Sequence, residues 1–262
     1  MKIGILGLGL IGGSIFKSLK ALNYDVIGIS SSQGGKYDDI YSDRSKLSGC
    51  DLVFVCTPMN KVLSDLEDIE QYLDTNTVVS DVSSLKEFVC QNKYKYNFVP
   101  SHPMAGTEFS GFENSFEGLF KGAKWVLTPL DNVVPDILRQ VITDLGAQII
   151  ITTAKEHDEA AALISHTPLV LAQALFMTAD DNELAKKLAS SGFRDMTRLA
   201  LSSEEMACDM VKMNHENIQK SLLKLYSNIG KLIKENYPET IHKIKQSREN
   251  MYKDGKNIYP VG

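Results

Sequence analysis

Residues 2–14 read Lys-Ile-Gly-Ile-Leu-Gly-Leu-Gly-Leu-Ile-Gly-Gly-Ser. The short run Ile3–Leu6 ends at Gly7, and a helix-forming stretch, Ser14 to Leu22, follows Gly12. A G-x-G-x-x-G set between a strand and a helix is the fingerprint of a dinucleotide-binding βα unit. Gly7 permits the tight turn, Gly9 lets backbone approach a pyrophosphate, and Gly12 lets helix pack on strand. The helix N-terminus then faces the anion. Gly7, Gly9, Leu10, Ile11 and Gly12 are therefore candidate cofactor contacts, together with Thr57 and Pro58 after the strand Leu52–Cys56. A glycine-rich loop alone is only a turn; the strand before it and the helix behind it carry the functional reading.

Outward from this unit, Val26–Ile29, Leu52–Cys56, Thr77–Ser80, Asn97–Val99, Trp125–Leu127 and Gln148–Ile151 are further β-branched runs, separated by helix-like or loop stretches. The alternation predicts a doubly wound α/β domain of Rossmann type with a largely parallel sheet, over residues 1–153. Residues 154–262 carry no strand signal and predict an all-helical domain. Ala154–Met177 reads as a helix apolar on nearly every side, which must be surrounded by protein. Met206, Met210, Met213, Ile218, Leu222, Leu225, Ile229 and Leu232 predict one long amphipathic helix ending near Pro238. A helical half this thin, with so apolar a helix, predicts a homodimer built from it. The Ser30–Gly35 run reads as a surface loop and the tail from Lys253 as a loose end.

The chain has 262 residues, 43% of them hydrophobic, enough for a sizeable core, and a formal net charge of −5. No basic field is available for nucleic acid or anionic lipid. Four cysteines without a CxxC pair, and a strand that begins almost at Met1, predict reduced thiols and a cytoplasmic location. No apolar run is expected to reach the ~18 residues of a membrane span, because charges such as Lys17 and Asp51 interrupt the candidates. No cluster has metal-ligand spacing, so no metal is expected.

In NAD-preferring folds an acidic residue about 20 positions beyond the glycines bonds the ribose 2′-hydroxyl. Here that place reads Ser30-Ser31-Ser32. Without a carboxylate nothing excludes a 2′-phosphate, and serine hydroxyls can donate to one, although no arginine stands beside them. The cofactor is NAD or NADP, with a lean to NADP.

His102 lies in Ser101-His102-Pro103-Met104-Ala105-Gly106-Thr107-Glu108, where the crevice of an open α/β sheet belongs. With Gly7–Ser14, Asp81–Lys86 (DVSSLK), Ser165-His166-Thr167-Pro168 and Gly192–Ala200 (GFRDMTRLA), this block resembles the prephenate and arogenate dehydrogenases of tyrosine biosynthesis, from Lys2 to at least Ser203. The resemblance implies NAD(P)-dependent oxidative decarboxylation: hydride leaves the ring carbon bearing the hydroxyl, the ring carboxylate departs as carbon dioxide, and aromatisation drives the reaction. Such chemistry needs an acceptor on the 4-hydroxyl, and a neutral imidazole of unperturbed pKa ~6.5 suits it. By resemblance His102 has that role, and Ser84 orients the hydroxyl, although Ser83 is adjacent. Both serines also read as N-caps of a helix beginning near Leu85.

A substrate carrying carboxylates calls for the planar fork of arginine. By resemblance Arg198 supplies it; Arg194 is a further candidate or a surface partner of Asp195. His166 and His157 stand nine positions apart on the first C-terminal helix, as substrate-cleft or core histidines. Glu108 is a further substrate-site candidate, or caps the following turn. Many prephenate-type members have a histidine three residues after His166, where this chain has Leu169, which leaves a keto or amino acid side chain open. The chain end leaves no room for a fused mutase or regulatory domain, so tyrosine inhibition is expected at the active site. The rivals are a β-hydroxyacid-type dehydrogenase, for which no catalytic-lysine motif follows Thr153, and a non-catalytic dinucleotide sensor.

Overall fold

The computed structural model describes residues 1–107, 109–234 and 237–253. β1 (Lys2–Leu6) is buried along Ile3–Leu6, as its unbroken apolar run requires of a central parallel strand. β2 (Asp25–Ile29) and β4 (Leu52–Val55) flank it in parallel, and β3 (Ile40–Tyr41), β5 (Val78–Asp81) and β6 (Asn97–Phe98) complete a six-stranded sheet in the order β3-β2-β1-β4-β5-β6. On one face α1 (Leu10–Ala21) and α3 (Asp136–Asp144) bury Ile15, Leu19, Leu138, Val141 and Ile142. On the other, α2 (Met59–Ile69) buries Val62, Leu66 and Ile69. Helices on both faces make the sheet doubly wound. Its order reverses between β1 and β4, so the ligand crevice belongs at the carboxyl ends of those strands.

The parallel sheet ends at β6. β7 (Ser101–Pro103), β8 (Lys124–Leu127) and β9 (Gln148–Ile151) form a separate three-stranded sheet, with β7 antiparallel to β8 and β8 parallel to β9. The single sheet expected from sequence is therefore divided. Pro100, which has no N–H to donate to a ladder, separates β6 from β7 and lets the chain step across. Trp125 locks the second sheet to the first: fully buried, it packs on Phe54 of β4 and on Phe120 with ring centroids 5.9 and 5.1 Å apart. Its indole N–H donates to Ser101 Oγ at 2.9 Å.

Thr153 caps α4 (Ala154–Ala161) in a capping box with Glu156. α4 continues through a π-helical turn, Ala162–His166, into α5 (Thr167–Asp180). α6 (Glu183–Leu188), α7 (Ser191–Thr197), α8 (Glu204–Met213), α9 (His215–Lys234) and α10 (Tyr237–Tyr252) follow. The single helix expected over Met206–Leu232 is divided at Asn214, whose φ of −119° and ψ of 23° leave the helical region. An asparagine side chain that bonds elsewhere competes with helix continuation, and Asn214 does so in the site below. α9 ends at Lys234, near Pro238 as expected, and Pro238 itself sits in the first turn of α10, where its missing N–H costs nothing.

The helix Ala154–Asp180 also revises the expectation of no long apolar run. By length and composition it passes for a membrane span, with a mean hydropathy of 1.5 over its most apolar window, a third of which is buried. The charges that would interrupt it lie outside residues 161–178, which contain no Asp, Glu, Lys or Arg. Leu163, Ile164, Phe176 and Met177 leave 44–73% of their surface exposed.

Candidate active site

α1 starts with Gly9 at its N-cap, no side chain satisfies its first amides, and its first turn holds no acidic residue. That end is open to an anion. Gly7 has φ +93°, a conformation glycine takes without strain. A Cβ on Gly12 would stand 2.0 Å from Gly7 O and 2.8 Å from Cys56 Cβ, whereas a Cβ on Gly9 would meet nothing within 4 Å. Open space above Gly9, beside uncapped amides, fits a dinucleotide pyrophosphate. Leu10 and Ile11 are half-buried in the first turn. Thr57 lies against Gly7 with a buried hydroxyl lacking a partner among the described residues, and exposed Pro58 is the N-cap of α2. At the end of β2, Ser30 Oγ accepts from Gln33 N at 3.3 Å, while Ser31 and Ser32 are exposed.

On the other side of the crevice, β7 is stitched to β5. Ser101 Oγ donates to Asp81 O at 2.7 Å, and Lys86 Nζ, fully buried, bridges Asp81 Oδ2 and Ser101 O at 2.5 Å each. Burial pushes the Lys86 ammonium down and Asp81 opposes that shift. Removing either partner would leave a buried charge uncompensated, at about 3–5 kcal/mol. Two groups that sequence reasoning missed thus aim the strand carrying His102.

His102 Nδ1 lies 2.9 Å from His157 Nε2, and His157 Nδ1 lies 2.7 Å from Asp158 Oδ1. His157, read from sequence as a core or cleft histidine, is buried and joined to side chains on both sides. The Asp158 carboxylate also accepts the backbone amides of Lys86 and Glu87 at 2.8 and 2.9 Å, across the seam between the two halves. No α-helix begins near Leu85; the segment has only a 3-10 turn, Val89–Gln91. Ser83 is buried and bonded through its amide and hydroxyl to the Asp81 carboxylate, whereas Ser84 is half-buried and outside that network.

His166, in the π turn, is 1% exposed; burial, the largest cause, and His157 lower its pKa to about 4 against the opposing pull of Asp158. Its Nδ1 lies 3.1 Å from Asn214 Nδ2, which also donates to Asp158 O at 2.9 Å. On an unbroken α-helix nine residues place two side chains about half a turn apart. The π turn unwinds this stretch, and both histidines join one network. Leu169, at the position of the histidine found in many prephenate-type members, is buried with Met59, Leu85, Ala207 and Met210.

Arg198, exposed on the turn Arg198–Leu201, lines a cleft of about 390 Å³ with Leu163, Thr167, Leu171 and Lys224. No carboxylate lies within ion-pair distance of it among the described residues. Arg194 is exposed and pairs with Asp195 at 3.4 Å on the surface. Glu108 lies outside the described residues. The structure therefore gathers His102, His157 and His166 into one network, and among the described residues Ser84, Arg194 and Arg198 stand apart from it.

Residues 27–151 match the family described as "Prephenate dehydrogenase, nucleotide-binding domain", and residues 153–247 match "Prephenate dehydrogenase, dimerization domain". The chain is 30% identical to prephenate dehydrogenase of Lactococcus lactis subsp. cremoris, over 98% of this chain and 76% of that one. The structure of Synechocystis arogenate dehydrogenase superposes with a TM-score of 0.81 and 32% identity, over 97% of this chain and 99% of that chain. That of prephenate dehydrogenase from A. aeolicus, in complex with hydroxyphenyl propionate and NAD+, gives 0.83 and 26%, over 96% and 98%. This chain belongs to the prephenate/arogenate dehydrogenase family and is an oxidoreductase.

Proposed function

We propose that the protein oxidatively decarboxylates prephenate or arogenate, yielding 4-hydroxyphenylpyruvate or tyrosine, with NAD or NADP as oxidant. The observation that carries the reading is His102. Burial first, then His157, Lys86 and His166, holds its pKa well below 6.5, so at neutral pH it is an uncharged acceptor for the substrate 4-hydroxyl. When bound, the nicotinamide ring supplies the hydride acceptor. Gly7, Gly9, Leu10, Ile11, Gly12, Thr57 and Pro58 form the rim that would hold the dinucleotide. Ser84 orients the hydroxyl, Arg198 binds a carboxylate, His166 lies at the substrate side, and Glu108 and Arg194 are secondary candidates. Residues 1–153 form the dinucleotide domain and 154–262 the substrate and dimerisation domain.

The lean to NADP rests on the absence of a carboxylate at Ser30–Ser32. Against it, Gln33 Nε2 holds the Glu113 carboxylate at 3.2 Å on the same rim, which favours NAD. The apolar surface on α5, within the stretch that matches a dimerization domain, supports a homodimer through the helical half, in keeping with a cytoplasmic enzyme.

The test is the appearance of reduced nicotinamide from purified protein in four mixtures: prephenate or arogenate, each with NAD or NADP. Turnover in any of them that is abolished by His102→Asn, with dinucleotide binding retained, supports the reading. Four inactive mixtures beside an active control enzyme would overturn it.

A further inference from the structure

An imidazole accepts a proton at only one nitrogen, so the chemistry at His102 depends on which of its two nitrogens is bare. Groups with one fixed polarity settle this. The backbone amides of Lys86 and Glu87 can only donate, and they reach Asp158 Oδ1 and Oδ2. The Asp158 carbonyl can only accept, so Asn214 must present Nδ2 to it; Asn217 Nδ2, donating to Asn214 Oδ1 at 2.9 Å, agrees. Against the Asp158 carboxylate His157 Nδ1 must carry its proton, which leaves His157 Nε2 bare when the ring is neutral. His102 Nδ1 then donates to it, and His102 Nε2 has no proton. By the same logic Asn214 Nδ2 donates to His166 Nδ1, so the His166 proton sits on Nε2, a buried atom without a partner among the described residues.

We propose that Asp158 is a positioning residue that sets the polarity of both histidines, acceptor at His102 Nε2 and donor at His166 Nε2, while its carboxylate clamps the helical half to the loop after β5. This rests on the reading of His102 as the acceptor in the reaction. Among the described residues, the charged and titratable groups around His102 are His157 and Asp158 on α4, His166 in the π turn, and Lys86 paired with Asp81 on the dinucleotide side. If His157 took a second proton it would donate to His102 Nδ1, and the bare nitrogen would move to the wrong side of the ring.

The first test reads the wild-type protein itself. Long-range ¹H–¹⁵N spectra of histidine-labelled wild-type protein at neutral pH, assigned with single histidine replacements, report each tautomer. His102 with a protonated Nδ1 and bare Nε2, and His166 with a protonated Nε2, are expected. A His102 protonated at Nε2, or a doubly protonated His157, overturns the proposal. Asp158→Ala then removes the acceptor at His157 Nδ1, and the His157 proton is free to move to Nε2 and donate to His102 Nδ1. We expect kcat to fall by at least about 10²-fold, toward the ~10⁴-fold that a misplaced tautomer costs elsewhere, with dinucleotide Kd changed less than about threefold and His102 carrying its proton on Nε2. A purely structural role would lower Tm and leave the tautomer as it was, which also overturns the proposal. Expected tautomers without turnover on any cyclohexadienol would sink the proposed reaction alone; turnover with the opposite tautomer would sink the relay alone.

Discussion

The Arg198 guanidinium stands exposed in a cleft on the helical half and, among the described residues, pairs with no carboxylate, while Arg194, four residues earlier, spends its charge on Asp195. A guanidinium without a partner retains its bidentate fork for a ligand. Arg198→Lys keeps the charge and loses the fork, at the cost of a charge-assisted hydrogen bond, about 1.5–3 kcal/mol. The expected outcome in steady-state kinetics is a KM for the cyclohexadienol raised about 10–100-fold, with kcat and dinucleotide affinity nearly unchanged. An unchanged KM would remove Arg198 from the site. Single motifs pointed to His102 and Arg198 because each carries its chemistry in one side chain. They did not separate Ser83 from Ser84, since the difference lies in which hydroxyl faces Asp81, and that depends on a turn rather than on residue type.

At the scale of elements, α1 and the ends of β1 and β4 make contrasting demands on two glycines. A methyl group on Gly12 would enter backbone at Gly7 and the Cβ of Cys56, neither of which can swing away. Gly12→Ala should therefore destabilise the fold by about 1–3 kcal/mol and weaken dinucleotide binding together. Gly9→Ala has room in the empty protein and should leave Tm unchanged while weakening dinucleotide binding at least about tenfold. Thermal melts and equilibrium titration of both variants check this; wild-type affinity in Gly9→Ala would mean that the pyrophosphate does not lie there. These elements were legible because their signals are local: a glycine spacing, a β-branched run, a capping threonine. The Asp158 clamp was not, because its partners lie 71 and 72 residues away and Asn214 meets it from 56 residues beyond. The π turn and the break at Asn214 escaped for the same reason. Hydrophobic spacing predicts a continuous helix through both, and only the tertiary network makes the interruptions pay.

For the whole molecule, the apolar face that the helical half leaves exposed predicts a second copy to cover it. Ile164 and Met177 are 65% and 73% exposed, and Leu163, about half exposed on the same helix, also lines the cleft that holds Arg198. Covering side chains of this size contributes about 1.5–3 kcal/mol each, and a twofold interface counts every contact twice. A buried charge at the centre should therefore shift the monomer–dimer equilibrium steeply. In Ile164→Asp, two copies each costing about 1.4 kcal/mol or more raise the dimer Kd at least about 100-fold. Sedimentation at micromolar concentration is expected to show a dimer for the wild-type protein and a monomer for the variant, and Tm should rise with concentration for the wild type alone. Because the apolar face and the Arg198 cleft share Leu163, specific activity should fall with dissociation and recover as the variant is concentrated. A variant that stays dimeric would place the interface elsewhere. A monomeric variant of full activity would separate the interface from the cleft, and would mean that one copy holds a complete site.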